Sequence, residues 1–301
     1  MYTEIDVLTK DFIELKKKND VIVDLLRDDF LLSGKSDKIS VCGDFLGFSP
    51  SVDTGEFRLV SANFCRERLC PTCQKRKSLK MYANVLQVVN YIETNVRNVR
   101  YLHLVLTVPN CEGGAVLNST ISKLFKSFGK FYKYKDIQRA FKGCLRCLEI
   151  TYNSDTGMFH PHLHCLIAVN SSYFNSRYYL KYDTLKSLWA KACNSDKPYQ
   201  ISVGAIKGDI AKGVAEVCKY CVKPLEYGEL EDTTAQYVLR TIGLVLKGQR
   251  CIQKYGVIKD AFKARNIDDE EDKTEINELP TDVFYYGFDR KTGKYRSINK
   301  G

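Results

Sequence analysis

Residues 144–169 read CLRCLEITYNSDTGMFHPHLHCLIAV. Two runs, Cys144–Asn153 and Phe159–Val169, are rich in Leu, Ile, Val, Tyr and Thr. Between them Ser154-Asp-Thr-Gly157 supplies the Asp and Gly of a tight turn, so the stretch predicts an antiparallel hairpin. In the second strand the period of two puts His160, His162 and His164 on one face, continued by Leu166 and Ala168. Leu163, Cys165 and Ile167 take the opposite face, and apolar residues on both sides place this strand in mid-sheet. A turn centred near Asp155 and Thr156 sets Glu149 opposite His162 on the histidine face. Two imidazoles at i and i+2 can hold one divalent ion and leave positions open for phosphate oxygen and water. Glu149 is the expected third ligand, because a buried carboxylate in mid-strand needs a partner and a cation supplies one. His103, the remaining histidine, is an alternative ligand or a packing residue.

Outward from the hairpin, the chain alternates regularly. A strand is expected over 100–109, a helix over about 118–142, the hairpin, a helix over 182–194, a strand over 199–207 and a helix from about 209. This α+β succession, β-α-β-β-α-β, is that of ferredoxin-like antiparallel sheets, with one helix added. Upstream, Ile5, Leu8, Phe12, Ile13, Val21, Val23 and Leu26 recur at helical spacing, which predicts an amphipathic packing arm over residues 1–36. Residues 37–80 read as short strand-like pieces (38–42 and 57–62) that lead into a helix over about 74–94, and the catalytic region is expected over 81–256. Residues 257–301 form a C-terminal extension whose run Asp268-Asp-Glu-Glu-Asp272 reads as a linker before a short aromatic and basic piece.

The 46 Lys and Arg against 36 Asp and Glu give the 301-residue chain a formal net charge of +10, which favours a polyanionic partner through counterion release. Neither a signal-peptide pattern nor an apolar run of about 18 residues is present, so a cytoplasmic protein without membrane attachment is expected. In such a reducing compartment the 12 cysteines are not a disulfide framework. Cys70-Pro-Thr-Cys73, with Cys65 just upstream and Cys42 before it, can complete a four-cysteine tetrahedron around a structural zinc ion. Arg66, Arg68, Lys75, Arg76, Lys77 and Lys80 surround this ribbon and make it a candidate DNA contact. Cys144 and Cys147 point to opposite faces of a strand, and Cys218 and Cys221 have no second pair. Both pairs read as packing.

The helix from Asp209 carries Glu216, Tyr220 and Lys223 at i, i+4 and i+7 on one face, and Pro224 ends or kinks it. Tyrosine can form a covalent phosphodiester intermediate if its proton is removed and the phosphate charge is countered, here by a bound metal and Lys223. Glu216 can serve as base for a later water. A Glu-Lys-Tyr face is also an ordinary helix surface, and spacing alone does not single out one of 19 tyrosines.

Taken together, Phe64-Cys-Arg-Glu-Arg-Leu-Cys-Pro-Thr-Cys73, Leu104-Val-Leu-Thr-Val-Pro-Asn110, Leu148-Glu-Ile-Thr-Tyr-Asn153, His160-Pro-His-Leu-His164 and Glu216-Val-Cys-Lys-Tyr220-Cys-Val-Lys223 resemble the HUH-endonuclease replication initiators of small bacterial rolling-circle plasmids. The likeness is to the single-tyrosine branch and covers roughly residues 42–250. It implies that His162 and His164 are the metal histidines, Tyr220 the nucleophile and Lys223 the Lys of the Tyr-x-x-Lys motif. Glu216 matches the acidic residue that brings in water at termination. The implied activity is metal-dependent (Mn or Mg) nicking of origin DNA, giving a 5′-phosphotyrosyl link and a 3′-OH primer without ATP, followed by rejoining. The implied partners are the plasmid double-strand origin, presented as a single-stranded hairpin loop, with a host helicase and single-strand-binding protein; a dimer is among the states left open. The first-strand motif departs from the family's Phe-Leu-Thr-Leu-Thr, reading His103-Leu-Val-Leu-Thr107, which keeps His103 in view as a ligand. A single-tyrosine transposase or relaxase would use the same chemistry, and a zinc-ribbon DNA-binding regulator would use none of it.

Overall fold

The computed structural model describes residues 4–51, 54–219, 230–267 and 282–298. In chain order the elements are α1 (Glu4–Leu26), α2 (Ser33–Ser40), β1 (Phe45–Pro50), β2 (Phe57–Ala62), α3 (Pro71–Asn95), β3 (Val99–Thr107), α4 (Ala115–Tyr132), α5 (Lys135–Ala140), β4 (Phe141–Asn153) and β5 (Met158–Asn170). There follow α6 (Tyr182–Ala192), β6 (Ile201–Ala205), α7 (Ile210–Lys219), α8 (Asp232–Val245), β7 (Ile252–Tyr255), α9 (Gly256–Ala264), β8 (Phe284–Asp289) and β9 (Lys294–Ser297). The chain is α+β with antiparallel sheets, and it divides into two units: Met1–Arg76 with Glu231–Arg240 and Glu270–Gly301, and Lys77–Leu230 with Thr241–Asp269.

The second unit is built on the sheet β6-β3-β5-β4-β7, in which each neighbouring pair is antiparallel. Its longest ladder is the β4–β5 hairpin. The Asn153 side-chain oxygen accepts from the Thr156 N–H at 2.8 Å, and Gly157 turns the corner at φ +66°, a conformation that only glycine adopts without steric cost. The resulting register sets Glu149 opposite His162, as the turn chemistry predicts. On the histidine face, Leu145, Cys147, Leu166 and Ala168 pack against Val85, Val88 and Val89 of α3, Val214 and Val217 of α7 and Ile258 of α9. Each such aliphatic side chain, fully buried, contributes about 1.5–3 kcal/mol. The other face meets α4 and α6, where Trp189 stands edge-on to Phe131 and its indole N–H donates to the Thr107 carbonyl at 2.8 Å. Cys144 and Cys147 lie buried in β4 and Cys218 is a buried residue of α7, as packing residues should be; Cys221 lies outside the described residues.

The first unit carries the sheet β2-β1-β8-β9. Leu46, Phe48, Tyr286 and Tyr295 form its core, capped by Leu8, Phe12 and Ile13 of α1, so the expected arm is a helix with a packing face. Lys16 of the same helix is buried and pairs with Asp44 at 2.5 Å.

Three local expectations need correction. Residues 38–42 are not a strand: they belong to the end of α2 and a turn. The burial of Ser36 and Ile39 at i, i+3, with the Ser36 hydroxyl donating to the Val23 carbonyl at 3.1 Å, fixes helical phase where the sequence looked alternating. The helix expected over 118–142 is two helices, because Tyr134 adopts an extended conformation (φ −63°, ψ 138°) and the residues from Phe141 join β4. The strands β1, β7, β8 and β9 have no counterpart among the expected ones; β7 pairs with β4 and β8 with β1. The acidic run 268–272 lies outside the described residues.

Candidate metal centre and cysteine cluster

Three neighbouring strands of the five-stranded sheet converge on one cluster. β5 contributes His162 and His164, β4 contributes Glu149 and β3 contributes His103. The Nε2 atoms of His162 and His164 lie 2.6 and 2.8 Å from the same Glu149 oxygen, Oε2. Glu149 and His164 are buried and His162 is nearly so. Burial alone would raise the Glu149 carboxyl, but hydrogen bonds from His162 and His164 outweigh it and hold the group down to about 2.

The outer nitrogens of both rings are committed elsewhere. His162 Nδ1 is 3.1 Å from the His160 carbonyl oxygen, and His164 Nδ1 is 3.0 Å from His103 Nε2. A carbonyl can only accept, so His162 Nδ1 must carry the proton and the neutral ring directs its Nε2 lone pair at a carboxylate oxygen. Two lone pairs at 2.6 Å require a positive species between them: a second proton on the imidazole, or a metal ion. The three donors together, two imidazole nitrogens and one carboxylate oxygen, suit a divalent first-row ion or Mg with open positions. These residues therefore fit a metal.

Of the two sequence candidates for third ligand, Glu149 is the one whose oxygen joins the donor group; His103 stands behind His164. His103 is held down to about 4, chiefly by burial and then by His164, with Glu216 of α7 acting in the opposite direction. Glu216 of α7 therefore lies near enough to His103 to act on it electrostatically. The supporting role of His103 was not read from sequence, although its odd-numbered position on the β3 face was a usable signal. His160 turns away from the donor group and binds Asn110, Nδ1 to Oδ1, at 2.6 Å. Tyr220 and Lys223 lie outside the described residues; α7 is described as far as Lys219.

In the first unit Cys42, Cys65, Cys70 and Cys73 bring their sulfurs within 4.8 Å of one another. The Cys73 sulfur is 3.6 Å from Cys42 and 3.7 Å from Cys65. A tetrahedral zinc–thiolate site with bonds of about 2.3 Å has edges of about 3.8 Å, so the spacing suits zinc. Backbone N–H groups of Cys65 and Arg66 donate to the Cys42 and Cys73 sulfurs at 3.4 and 3.2 Å, as in a metal knuckle, and Arg66 takes the left-handed φ of 60° to do so. Cys42 reaches the group from a turn rather than from a strand. Among the nearby basic residues, Arg66, Lys75 and Lys80 are exposed, Arg68 and Lys77 are half-buried, and the Arg76 guanidinium stacks on Phe64 at 4.4 Å.

Cluster and sheet together define an α+β protein with a Glu-His-His group that could hold a metal ion and a separate group of four cysteines. Residues 56–293 match the family model described as replication protein, and the chain belongs to that family. It is 33% identical over 259 residues to a "Protein rep" of Bacillus sp (79% of this chain, 83% of that protein). It is likewise 33% identical over 239 residues to a "Protein rep" of Lactiplantibacillus plantarum (76% and 74%), and 31% identical over 217 residues to one of Staphylococcus aureus (72% and 93%). No solved structure matches. The resemblance to replication initiators read from the sequence is thus borne out at the level of the family. Among the described residues no helix is long and apolar enough to cross a membrane.

Proposed function

We propose that the chain initiates rolling-circle replication of a plasmid by nicking its origin, with the Glu149–His162–His164 cluster as the phosphate-activating centre. The observation that carries this reading is the convergence of those three donors on central strands of a replication-family chain. The strand order β6-β3-β5-β4 supports a ferredoxin-like HUH arrangement for the sheet. A bound divalent ion, Mn or Mg, would polarise the scissile phosphate as a Lewis acid. His162, His164 and Glu149 would hold it, while the His160 carbonyl and His103 orient the two rings. Tyr220 would attack the phosphorus: its Oη–P bond forms, the P–O3′ bond breaks, and the phenolic proton passes through solvent to the departing 3′ oxygen. Lys223 would counter the phosphate charge, and Glu216 would deprotonate the water that ends the cycle. The four cysteines would hold a structural zinc ion, and Arg66, Arg68, Lys75, Arg76, Lys77 and Lys80 would contact origin DNA.

The test is incubation with Mn or Mg and a single-stranded origin oligonucleotide, followed by denaturing electrophoresis. A covalent protein–DNA adduct that disappears in Tyr220→Phe and in His162→Ala is expected. Intact binding without any adduct would overturn the enzymatic reading, and an undiminished adduct in Tyr220→Phe would move the nucleophile elsewhere.

A further inference from the structure

The edge strand β6 of the five-stranded sheet is flanked by an aromatic and basic border that none of the readings above uses. Between β5 and the start of α6, residues 171–182 read SSYFNSRYYLKY. Tyr173 is buried and anchors the segment, its hydroxyl accepting from the Leu180 N–H at 3.2 Å. Phe174, Tyr178, Tyr179 and Tyr182 remain between 39% and 43% exposed, an unusual concentration of aromatic faces left open to solvent. Tyr182 marks one end of β6, with its hydroxyl 3.3 Å from the Ile201 carbonyl. Phe174 marks the other end, where it lines a cavity of about 690 Å³ with Arg100, Tyr101, Lys207 and Gly208 and with one carboxylate, Glu93, against the two cations.

The charge of that cavity points to an anionic ligand. Arg100 and Lys207 present exposed cations there with no carboxylate in ion-pairing range among the described residues. On the strand between the two ends, Ser202 and Gly204 are exposed, and Gly204 has open space where a side chain would stand. Stackable rings, free cations and a small-residue floor together fit a flexible polyanion with flat bases. A duplex, whose bases are already stacked, could not use the rings.

We propose that the β6 edge, from Tyr182 to the Arg100–Lys207 cavity, is a single-stranded DNA track in which bases stack on Phe174 and its neighbouring tyrosines while Arg100 and Lys207 take phosphates. Ile201 pairs with Leu106, one residue from Thr107, the register partner of His162, so the track starts beside the metal centre and leads away from it. The β6 strand of five residues spans about 16 Å. The inference rests on the reading of the chain as a handler of single-stranded origin DNA, but concerns a surface that the nicking chemistry does not require.

The test uses the full chain and a fluorescein-labelled oligothymidylate of roughly ten nucleotides, a length within the usual single-strand site size. Anisotropy titrations should show affinity lower by at least about fivefold in Phe174→Ala and in Tyr179→Ala. The Arg100→Ala/Lys207→Ala double variant should lower the salt slope of log K by about 1.4, corresponding to two lost phosphate contacts. Phe174→Trp should retain affinity, and its exposed indole should be quenched by the oligomer, against a background of the single native Trp189, which is buried. Unchanged oligothymidylate affinity in all the variants, or an equal loss of binding to a duplex of the same length, would overturn the proposal. An origin adduct with no dependence of oligomer binding on these residues removes the track and leaves the nicking reading; dependence without an adduct does the reverse.

Discussion

Glu149 and His162 are register partners across the β4–β5 hairpin, and the carboxylate oxygen that meets His162 Nε2 at 2.6 Å also meets His164 Nε2 at 2.8 Å. One oxygen thus serves two rings, and removing its charge affects both. Glu149→Gln preserves the shape but presents a neutral amide. Calorimetric titration with Mn should give affinity at least about tenfold weaker than wild type, since a charged ligand to the ion is lost. A titration indistinguishable from wild type would exclude Glu149 as a ligand.

His103 should behave as a support for His164. His103→Ala is expected to retain metal binding but weaken it by about 10–100-fold, the usual cost of losing an outer partner.

The same residue governs a pH effect in metal-free protein. His103 is lowered from 6.5 to about 4, so as pH falls below 6.5 the unfolded chain takes up this proton first and stability declines until about pH 4. Glu149 is lowered from 4.5 to about 2, so its contribution is complete above pH 4.5 and is lost as pH falls towards 2. Thermal melts in a chelator should therefore drop in two overlapping windows. In His103→Gln the upper decline should flatten and the lower one persist; an unaltered profile between pH 6.5 and 4 would contradict the assignment.

Removing one sulfur from the cysteine cluster should empty it. Metal analysis of purified protein is expected to find one zinc per chain in wild type and far less in Cys70→Ser, with a lower melting temperature for the first unit. Cys218→Ser, a buried cysteine outside the cluster, should keep its zinc.

Gly256 starts α9 at φ +53°, and a Cβ there would stand 2.1 Å from the Lys142 carbonyl oxygen. Backbone cannot yield as a flexible side chain can. Gly256→Ala should therefore destabilise the protein by about 2 kcal/mol or more, read from denaturant midpoints at unchanged slope.

The parts of this molecule that were legible in the sequence are those written locally. Ser154–Gly157 specify a turn, the turn specifies a register, and the register puts Glu149 opposite His162. The cysteine group was legible from the Cys70-x-x-Cys73 spacing, whereas the turn that brings in Cys42 carries a strand-like composition. What stayed hidden depends on distant partners. The segment containing Phe284–Asp289 has no internal signal that β1 will be its neighbour, and its pairing is decided by the core of Leu46, Phe48, Tyr286 and Tyr295. Tyr134 breaks a helix whose apolar pattern runs on unbroken, because residues from Phe141 gain more by joining the sheet. Glu216 had only helical spacing to recommend it, and its electrostatic relation to His103 needed three dimensions.

The sheet order leaves β3, β5 and β4 paired on both sides, while β6 and β7 take the edges. Every strand that supplies a residue to the metal centre is thus an inner one, and its amide hydrogens can reach solvent only when a neighbour strand peels away. Amide exchange at His103, Glu149, His162 and His164 should accordingly track global unfolding, with or without metal. The centre would then be a rigid seat whose shape precedes its ion, and loss of the ion would cost activity before it cost architecture.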